Sequence, residues 1–334
     1  MKRIENRYVL TVIYALLTIY ALFSVIPFFW TTIQSFKTPR QANSRVPLFI
    51  FEPTADNYTD LWLKTIPDDP LLVAAVLVAI FGLLAFVGMQ ARRFPFPRGY
   101  VYLGILAVGF AVLWSIPGYV RTQTFYDYFL NTVIVTFGTI CISISIGCLA
   151  GYGLARYSGI AGVIILVTAL GFRSLPGMAY ILPYWWFGQR SGLYDTHILL
   201  IITLVAINQP FTIWMLRSFF MNIPKEIEES AMVDGANRLT AFLSVIIPIM
   251  WPGIISTALF TLLLAYSDFL LVRILTQSNW TLTVAISKYA AGEDPGHITL
   301  AAAAAVSAAV PIIIVVFIFQ SQLVKGLTSG AVKG

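Results

Sequence analysis

Eight stretches of this sequence run for about 20 residues or more with scarcely a charge among them: Tyr8–Trp30, Leu71–Gln90, Val101–Val120, Phe129–Leu154, Ile160–Phe187, Ile198–Phe220, Pro252–Thr276 and Ile298–Gln320. A helix needs about 20 mostly apolar residues to cross the hydrocarbon of a bilayer, and in lipid its backbone polar groups must be satisfied within the segment. The expected fold class is therefore an all-α polytopic membrane protein with eight transmembrane helices. Composition agrees, at 58% hydrophobic and 11% charged, where a soluble chain carries about 25% charged residues. The first run is too long for a signal-peptide core and no small-residue cleavage site follows it, so it reads as an uncleaved anchor.

Lys and Arg collect on the inner side of membrane proteins. With the N-terminus inside, the inner segments hold Lys2, Arg3, Arg7, Arg92, Arg93, Arg98, Arg156, Arg217, Lys225, Arg238, Lys325 and Lys333. The outer segments hold Lys37, Arg40, Arg45, Lys64, Arg121, Arg190 and Lys288, four of them in one long loop, with most of the acids. This orientation puts both termini in the cytoplasm. It also accounts for the net charge of +6 without nucleic acid as a partner; membrane lipid is the surface the basic residues meet. The long outer loop, 31–70, contains "FEPTADNYTDLW" and reads as an irregular cap packed on the membrane surface through Tyr58 and Trp62.

Cys141 and Cys148 are seven residues apart in one apolar run, about 10 Å along a helix. A disulfide needs Cα atoms within roughly 7 Å, so they read as packing residues. His197 and His297 stand alone, which gives no metal site, and no Walker-type loop, GxSxG elbow or HExxH motif is present. The chain reads as a non-enzyme with no cofactor of its own.

One segment breaks the apolar pattern. "KEIEESAMVDGANRLTAFLSVIIPIMWPGI", Lys225–Ile254, places Glu226, Glu228, Glu229, Asp234, Lys225 and Arg238 between two greasy runs. Pro224 suits a first helical turn, where acids favour the helix dipole. Ile223, Ile227 and Ala231 mark one apolar face. Asp234-Gly235 stops the helix, with Gly in a conformation costly for other residues. Asn237 starts a second helix, with Leu239, Phe242, Leu243 and Ile246 on one face, ended by Pro248 and Pro252. Such a pair either rests on headgroups or docks a partner, and three acids near its start disfavour an anionic leaflet.

Glu229-Ser230-Ala231, three residues, Gly235, nine residues, then Val245-Ile246-Ile247-Pro248 resembles the EAA loop of ABC importer permeases, whose pattern is Glu-Ala-Ala, three residues, Gly, nine residues, Ile-x-Leu-Pro. Ser230 replaces the first Ala. "NTVIVTFGT", "GYGLARY" and the terminal "GLTSGAVKG" are similar to the MalG-like branch of binding-protein-dependent carbohydrate importers; "AYSDF", Ala265–Phe269, resembles that branch's Trp-Asn-Glu-Phe segment with substitutions. The likeness covers about Phe129 to the C-terminus, with a shorter match at the first span and "SFKTP". That branch has six spans. This chain adds Leu71–Gln90 and Val101–Val120, giving an anchor and outer loop at 1–70, an extra hairpin at 71–120 and a permease core at 121–334 with a coupling loop at 222–250.

The resemblance implies a bacterial or archaeal inner-membrane subunit that pairs with a MalF-like second permease. An ABC ATPase dimer binding ATP and Mg, an extracytoplasmic solute-binding protein and a sugar substrate complete the system. The coupling residues carried over are Glu229, Ser230, Ala231, Asp234, Gly235 and Pro248, with Glu229 as the polar contact to the ATPase. The tail reads as a loose segment reaching toward the ATPase pair.

Polar groups within spans are candidates for a substrate path. Asn208 and Gln209 precede Pro210, and their amides can bond sugar hydroxyls or neighbouring helices. Tyr180, near the outer end of the fifth span, lies in an aromatic group that reads as an interfacial belt or a sugar platform. Asp268 is an acid deep in the seventh span, and Arg173 in the fifth is a candidate partner for it. Ala301–Ala305 reads as a tight helix contact. A self-standing secondary transporter or channel would want inverted repeats or several intramembrane acids, and a membrane scaffold would not need polar-dotted helices.

Overall fold

The computed structural model describes residues 7–90, 98–157, 159–292 and 296–331. It is helical, and among the described residues the extended pairing is an isolated antiparallel bridge between Leu63 and Thr122. Two compact units divide the chain: Met1–Leu130 with Ala285–Ser307, and Asn131–Val284 with Ala308–Gly334.

Six helical runs among the described residues are long and apolar enough to cross a membrane. They are α1 (Arg7–Ser35), α4 (Pro70–Met89), α6 (Thr124–Arg156), α9 (His197–Phe220), the run ending in α12 (Ile247–Tyr266), and α15 (His297–Ala331). α5 (Arg98–Tyr119) supplies the other arm of the expected hairpin. The expected fifth span is not one helix. α7 (Ile160–Arg173) and α8 (Gly177–Ser191) meet at 94°; Pro176, whose ring disfavours helical backbone at Leu175, itself stands in extended backbone just before α8. Eight apolar helical positions result when the bent pair counts once.

The seventh span also differs. α12 stops at Tyr266, and a separate α13 (Leu270–Leu275) follows. Asp268 lies in the break, where its Oδ1 accepts the Leu271 N–H at 2.9 Å; a short acid at a helix start competes for backbone N–H groups that a continuing helix would use. Asp268 thus caps the start of α13 at a break between two helices and does not lie within a continuous helix. The tail "GLTSGA" continues α15 to Ala331 instead of forming a loose segment.

In the first unit, the outer loop carries two short helices, α2 (Pro39–Ala42) and α3 (Asp56–Trp62). Thr38 and Gln41 form a reciprocal capping box at α2. Lys37 is 1% exposed, its ammonium 4.6 Å from the Trp30 ring centroid and 5.3 Å from that of Phe51. Trp62, expected at the membrane surface, is half-buried within the first unit. It donates to Ser307 Oγ at 3.1 Å and packs edge-on against Phe125 and Phe129. Ala302, Ala303 and Ala304 are buried, so the alanine run makes a helix contact. The base of the α4–α5 hairpin is closed: Lys64 N donates to Arg121 O at 2.8 Å and Gln123 N to Trp62 O at 2.9 Å, on either side of the Leu63–Thr122 bridge.

In the second unit, one apolar core joins Leu199, Leu200 and Leu204 of α9 with Val135, Ile181, Leu271 and Leu275. A second lies toward the other end of α9 and contains Cys148, Leu216, Phe220, Ile223, Phe242, Ile246, Met250 and Ile254. α9 has 24 residues, ~36 Å, enough to carry a polar cluster at each end of a span.

Candidate functional site

The polar segment forms α10 (Lys225–Val233). Glu226 and Glu228 occupy its first turn, where exposed N–H groups favour negative charge. The helix ends in a Schellman turn: Gly235 N donates to Met232 O at 3.1 Å and Ala236 N to Ala231 O at 3.0 Å. Gly235 has φ +92°, left-handed backbone that a side chain resists, and no neighbour stands within 4 Å of an added Cβ. Asn237 then caps α11 (Arg238–Ala241), its Oδ1 accepting Thr240 N at 2.8 Å.

Proline does not end this second helix. α11 passes into a π turn, Phe242–Ile246, and directly into α12, so that Arg238–Tyr266 is one helical run. Pro248 lies in the first turn of α12 and Pro252 inside it. Pro248 has no N–H, and its ring crowds the carbonyl one turn back; the wider π turn just before it relieves that crowding. The expected apolar face splits accordingly: Phe242 and Ile246 are buried, whereas Leu239 and Leu243 are exposed.

The segment is held from beneath by the end of α6. Arg156 Nε meets Glu228 Oε2 at 3.0 Å, their side chains 7% and 9% exposed. Tyr152 OH donates to Glu228 Oε1, and Arg156 Nη1 donates to Ile223 O at 3.1 Å. Arg238 bonds the Tyr157 hydroxyl and lies over its ring. "GYGLARY" is therefore the bed of the polar loop: Tyr152, Arg156 and Tyr157 all bind it. The motif carries no local signal of those contacts, whose partners lie 67 to 81 residues away. Ile223 is buried, and Ile227 and Ala231 half-buried, on the inward face. Glu229, Ser230, Asp234, Gly235 and Pro248 are exposed on the other, beside Val233 at 87% exposure.

The other end of α9 carries a second cluster. Asp195 stands at φ +60°. Its carboxylate accepts the N–H groups of Gln277 at 2.9 Å, Ser278 at 3.1 Å and Asn279 at 3.1 Å, and the Ser278 hydroxyl. Partial burial alone would raise its pKa, but these hydrogen bonds more than offset that and hold it below the usual carboxylate range. His197 Nε2 bonds Asn131 Oδ1 at 2.7 Å, and Asn131 Nδ2 donates to Trp280 O at 3.0 Å. "YDTH", 194–197, and "QSN", 277–279, are local turn sequences whose pairing across the chain gave no sequence pattern.

Among the described residues no hydrogen bond joins any two of the substrate-path candidates Tyr180, Asn208, Gln209 and Asp268. Asn208 is buried in α9. Gln209 Nε2 donates to Ser143 O at 3.1 Å, while Gln209 Oε1 and Ser143 Oγ are buried without a protein partner. Tyr180 packs on the apolar core. Arg173 does not pair with Asp268; its guanidinium lies 5.3 Å from the Phe211 ring centroid. Among the described residues no cluster of metal-ligating side chains occurs, and Cys141 and Cys148 are unpaired thiols.

Residues 143–329 match the family described as binding-protein-dependent transport system inner membrane component. The chain is 30% identical over 273 residues to the trehalose/maltose transport system permease protein MalG of Thermococcus litoralis, a match covering 79% of this chain and 96% of that one. It is 34% identical over 223 residues to the trehalose transport system permease protein SugB of Mycobacterium tuberculosis, covering 65% and 80%, and 29% identical over 230 residues to the maltodextrin transport system permease protein MdxG of Bacillus subtilis, covering 67% and 83%. A chain of the crystal structure of a bacterial ABC transporter involved in the import of the acidic polysaccharide alginate superposes with TM-score 0.65 at 17% identity, over 96% of this chain and 98% of that chain. At that identity the likeness shows the fold.

Proposed function

The chain belongs to the binding-protein-dependent transport system inner membrane component family, and from that membership we propose that it is one of two permease subunits of an ATP-driven importer for a sugar or oligosaccharide. As a member it is a transport subunit and not itself an enzyme. A MalF-like second permease lines the path with it, an extracytoplasmic binding protein delivers the solute, and a separate ATPase pair holds ATP and Mg. The sugar class is supported by the trehalose, maltose and maltodextrin systems to which the similar permeases belong.

The observation that carries the coupling role is the two-faced loop. Its inner face is fastened to α6 through Glu228 and Arg238. Its outer face presents Glu229, Ser230, Asp234 and Gly235 with the apolar Val233, Leu239 and Leu243. An exposed apolar and acidic face on a fastened element is what a docking protein needs. Closure of the ATPases on ATP presses this face, and α12, continuous with the loop through Pro248, carries the displacement into the membrane. The path then opens outward and receives the sugar. The Lys/Arg bias supports the loop and both termini lying in the cytoplasm. Asn208, Gln209 and Tyr180 remain the candidates for the path, with Gln209 Oε1 the acceptor that lacks a protein partner. Asp268 serves it only through the turn that it caps.

Gly235→Val tests the reading. A β-branched residue at φ +92° distorts the turn, at a cost of about 1–3 kcal/mol, and adds bulk to the docking face. The variant should insert normally and lose both retained ATPase and sugar uptake. Normal uptake would move the docking role elsewhere. Uptake by the chain alone, without the ATPase, would favour a self-standing transporter.

A further inference from the structure

The loop is joined to the membrane by two routes of different stiffness. The covalent route runs from α11 into α12 through a π turn and two prolines, Pro248 and Pro252. Each proline withdraws one N–H from the helical ladder and the π turn loosens it further. The side-chain route runs from Glu228 to α6. Glu228 is held through both carboxylate oxygens, by Arg156 and Tyr152, and the same guanidinium holds Ile223 O at the entry to α10. Charge-assisted hydrogen bonds at this burial are short, strong and directional, which makes the geometry of the pair stiff, although Arg156 Nη2 is buried without a protein partner. Beyond it, α6 is pressed onto α9: a Cβ on Gly151 would stand 3.0 Å from Arg217 N, and Arg217 Nε donates to Leu154 O at 3.3 Å.

We propose that Arg156 and Glu228 are positioning residues that form a joint staying closed through the transport cycle, so that a push on the loop reaches α6 and α9 as well as α12. The proposal rests on the coupling role given above. It implies that the ends of α6, α9 and α12 nearest the loop travel as one body, and that without the joint the loop yields at the π turn while the membrane helices lag.

The test uses the complete importer, with Cys141 and Cys148 replaced by Ala. Arg156→Cys and Glu228→Cys are introduced together, and sugar uptake, ATP hydrolysis and ATPase retention are measured before and after bridging the two thiols with a short bifunctional methanethiosulfonate. Before bridging, uptake should fall at least tenfold while ATPase retention and hydrolysis stay within about threefold; bridging should restore uptake to within about threefold. A purely stabilising role would lower the amount of complex and leave the uptake-to-hydrolysis ratio unchanged. Undiminished uptake without the bridge, or hydrolysis without uptake once bridged, would overturn the proposal; the second outcome would mean that the joint has to open. Failure of the parent importer to retain any ATPase would instead overturn the coupling role itself.

Discussion

Gly151 of α6 packs against the backbone of Arg217 in α9, so closely that an added Cβ would lie 3.0 Å from the Arg217 nitrogen and 3.2 Å from Leu216 Cβ. Gly147, one turn earlier, faces side-chain ends instead: an added Cβ would lie 2.8 Å from a methyl of Thr212 and 2.8 Å from one of Leu216. Small residues one turn apart let membrane helices approach to backbone contact. Gly153, two positions on, has open space around it. Gly151→Ala should therefore destabilise the purified protein by about 1–3 kcal/mol through overpacking, whereas Gly153→Ala should be neutral or gain about 0.5–1 kcal/mol from helix propensity. Thermal unfolding of the two variants in detergent checks this; equal behaviour would mean that the α6–α9 contact relaxes freely.

Two adjacent glutamates should behave oppositely. Glu228 is buried against Arg156 and Tyr152, while Glu229 is exposed. Removing one partner of a buried pair costs about 3–5 kcal/mol, and an exposed side chain away from such contacts changes stability by about 0.5 kcal/mol or less. Glu228→Ala should lower the melting temperature and yield. Glu229→Ala should leave both unchanged and reduce ATPase retention. A stable Glu228→Ala protein would show that the pair contributes nothing net.

The apolar runs and the Gly235 turn are legible because each is local. An apolar run of 20 residues, or Asp-Gly after an amphipathic turn, needs no knowledge of the rest of the chain. The choice between Glu228 and Glu229 was not, because it is made by Tyr152 and Arg156, more than seventy residues away. Asp195 escaped notice for the same reason: its partners are Gln277, Ser278 and Asn279. The breaks at Pro176 and Asp268 were hidden by hydrophobicity counted over a window, which sees no difference between one bent segment and one straight one. Pro248 misled in the other direction. It suggests a helix end, and the π turn lets the helix continue.

Asp195 makes a pH prediction. Its folded-state pKa is lowered, so its charge stabilises the fold above its unfolded value, about 3.9. That contribution is lost as pH falls through the lower folded value. Asp195→Asn keeps the size of the side chain but loses one carboxylate acceptor for the N–H groups of 277–279. The variant should be less stable than the parent at pH 7, and the gap should close as the pH drops below about 4. Melting temperatures of both proteins across that range give the difference curve. A gap that does not change with pH would mean that the hydrogen bonds, and not the charge, carry the effect.

The extra hairpin should be removable. Its two ends are held together at its base by the Leu63–Thr122 bridge and the bonds from Lys64 to Arg121 and from Gln123 to Trp62. Antiparallel strands at that distance can be joined by a two-residue Asn-Gly turn, so Ile66–Tyr119 can be replaced without moving the flanking chain. α4 and α5 together make two crossings, and deleting both leaves the orientation of every later span unchanged. The contacts that fasten the polar loop at 222–250 come from Tyr152, Arg156 and Tyr157, none of them in the hairpin. Among the described residues the replacement removes two bonds from the flanking chain, Tyr126 OH to Leu113 O at 2.6 Å and Val120 N to Ile116 O at 2.9 Å. At about 1 kcal/mol for a typical hydrogen bond, that loss should not unfold the first unit. The shortened chain should insert, and it should retain ATPase within about twofold of the parent on the purified membrane complex. Normal insertion with ATPase lost would show that the hairpin supports the coupling loop through the fold, and the division at 71–120 would then describe an integral part of the permease.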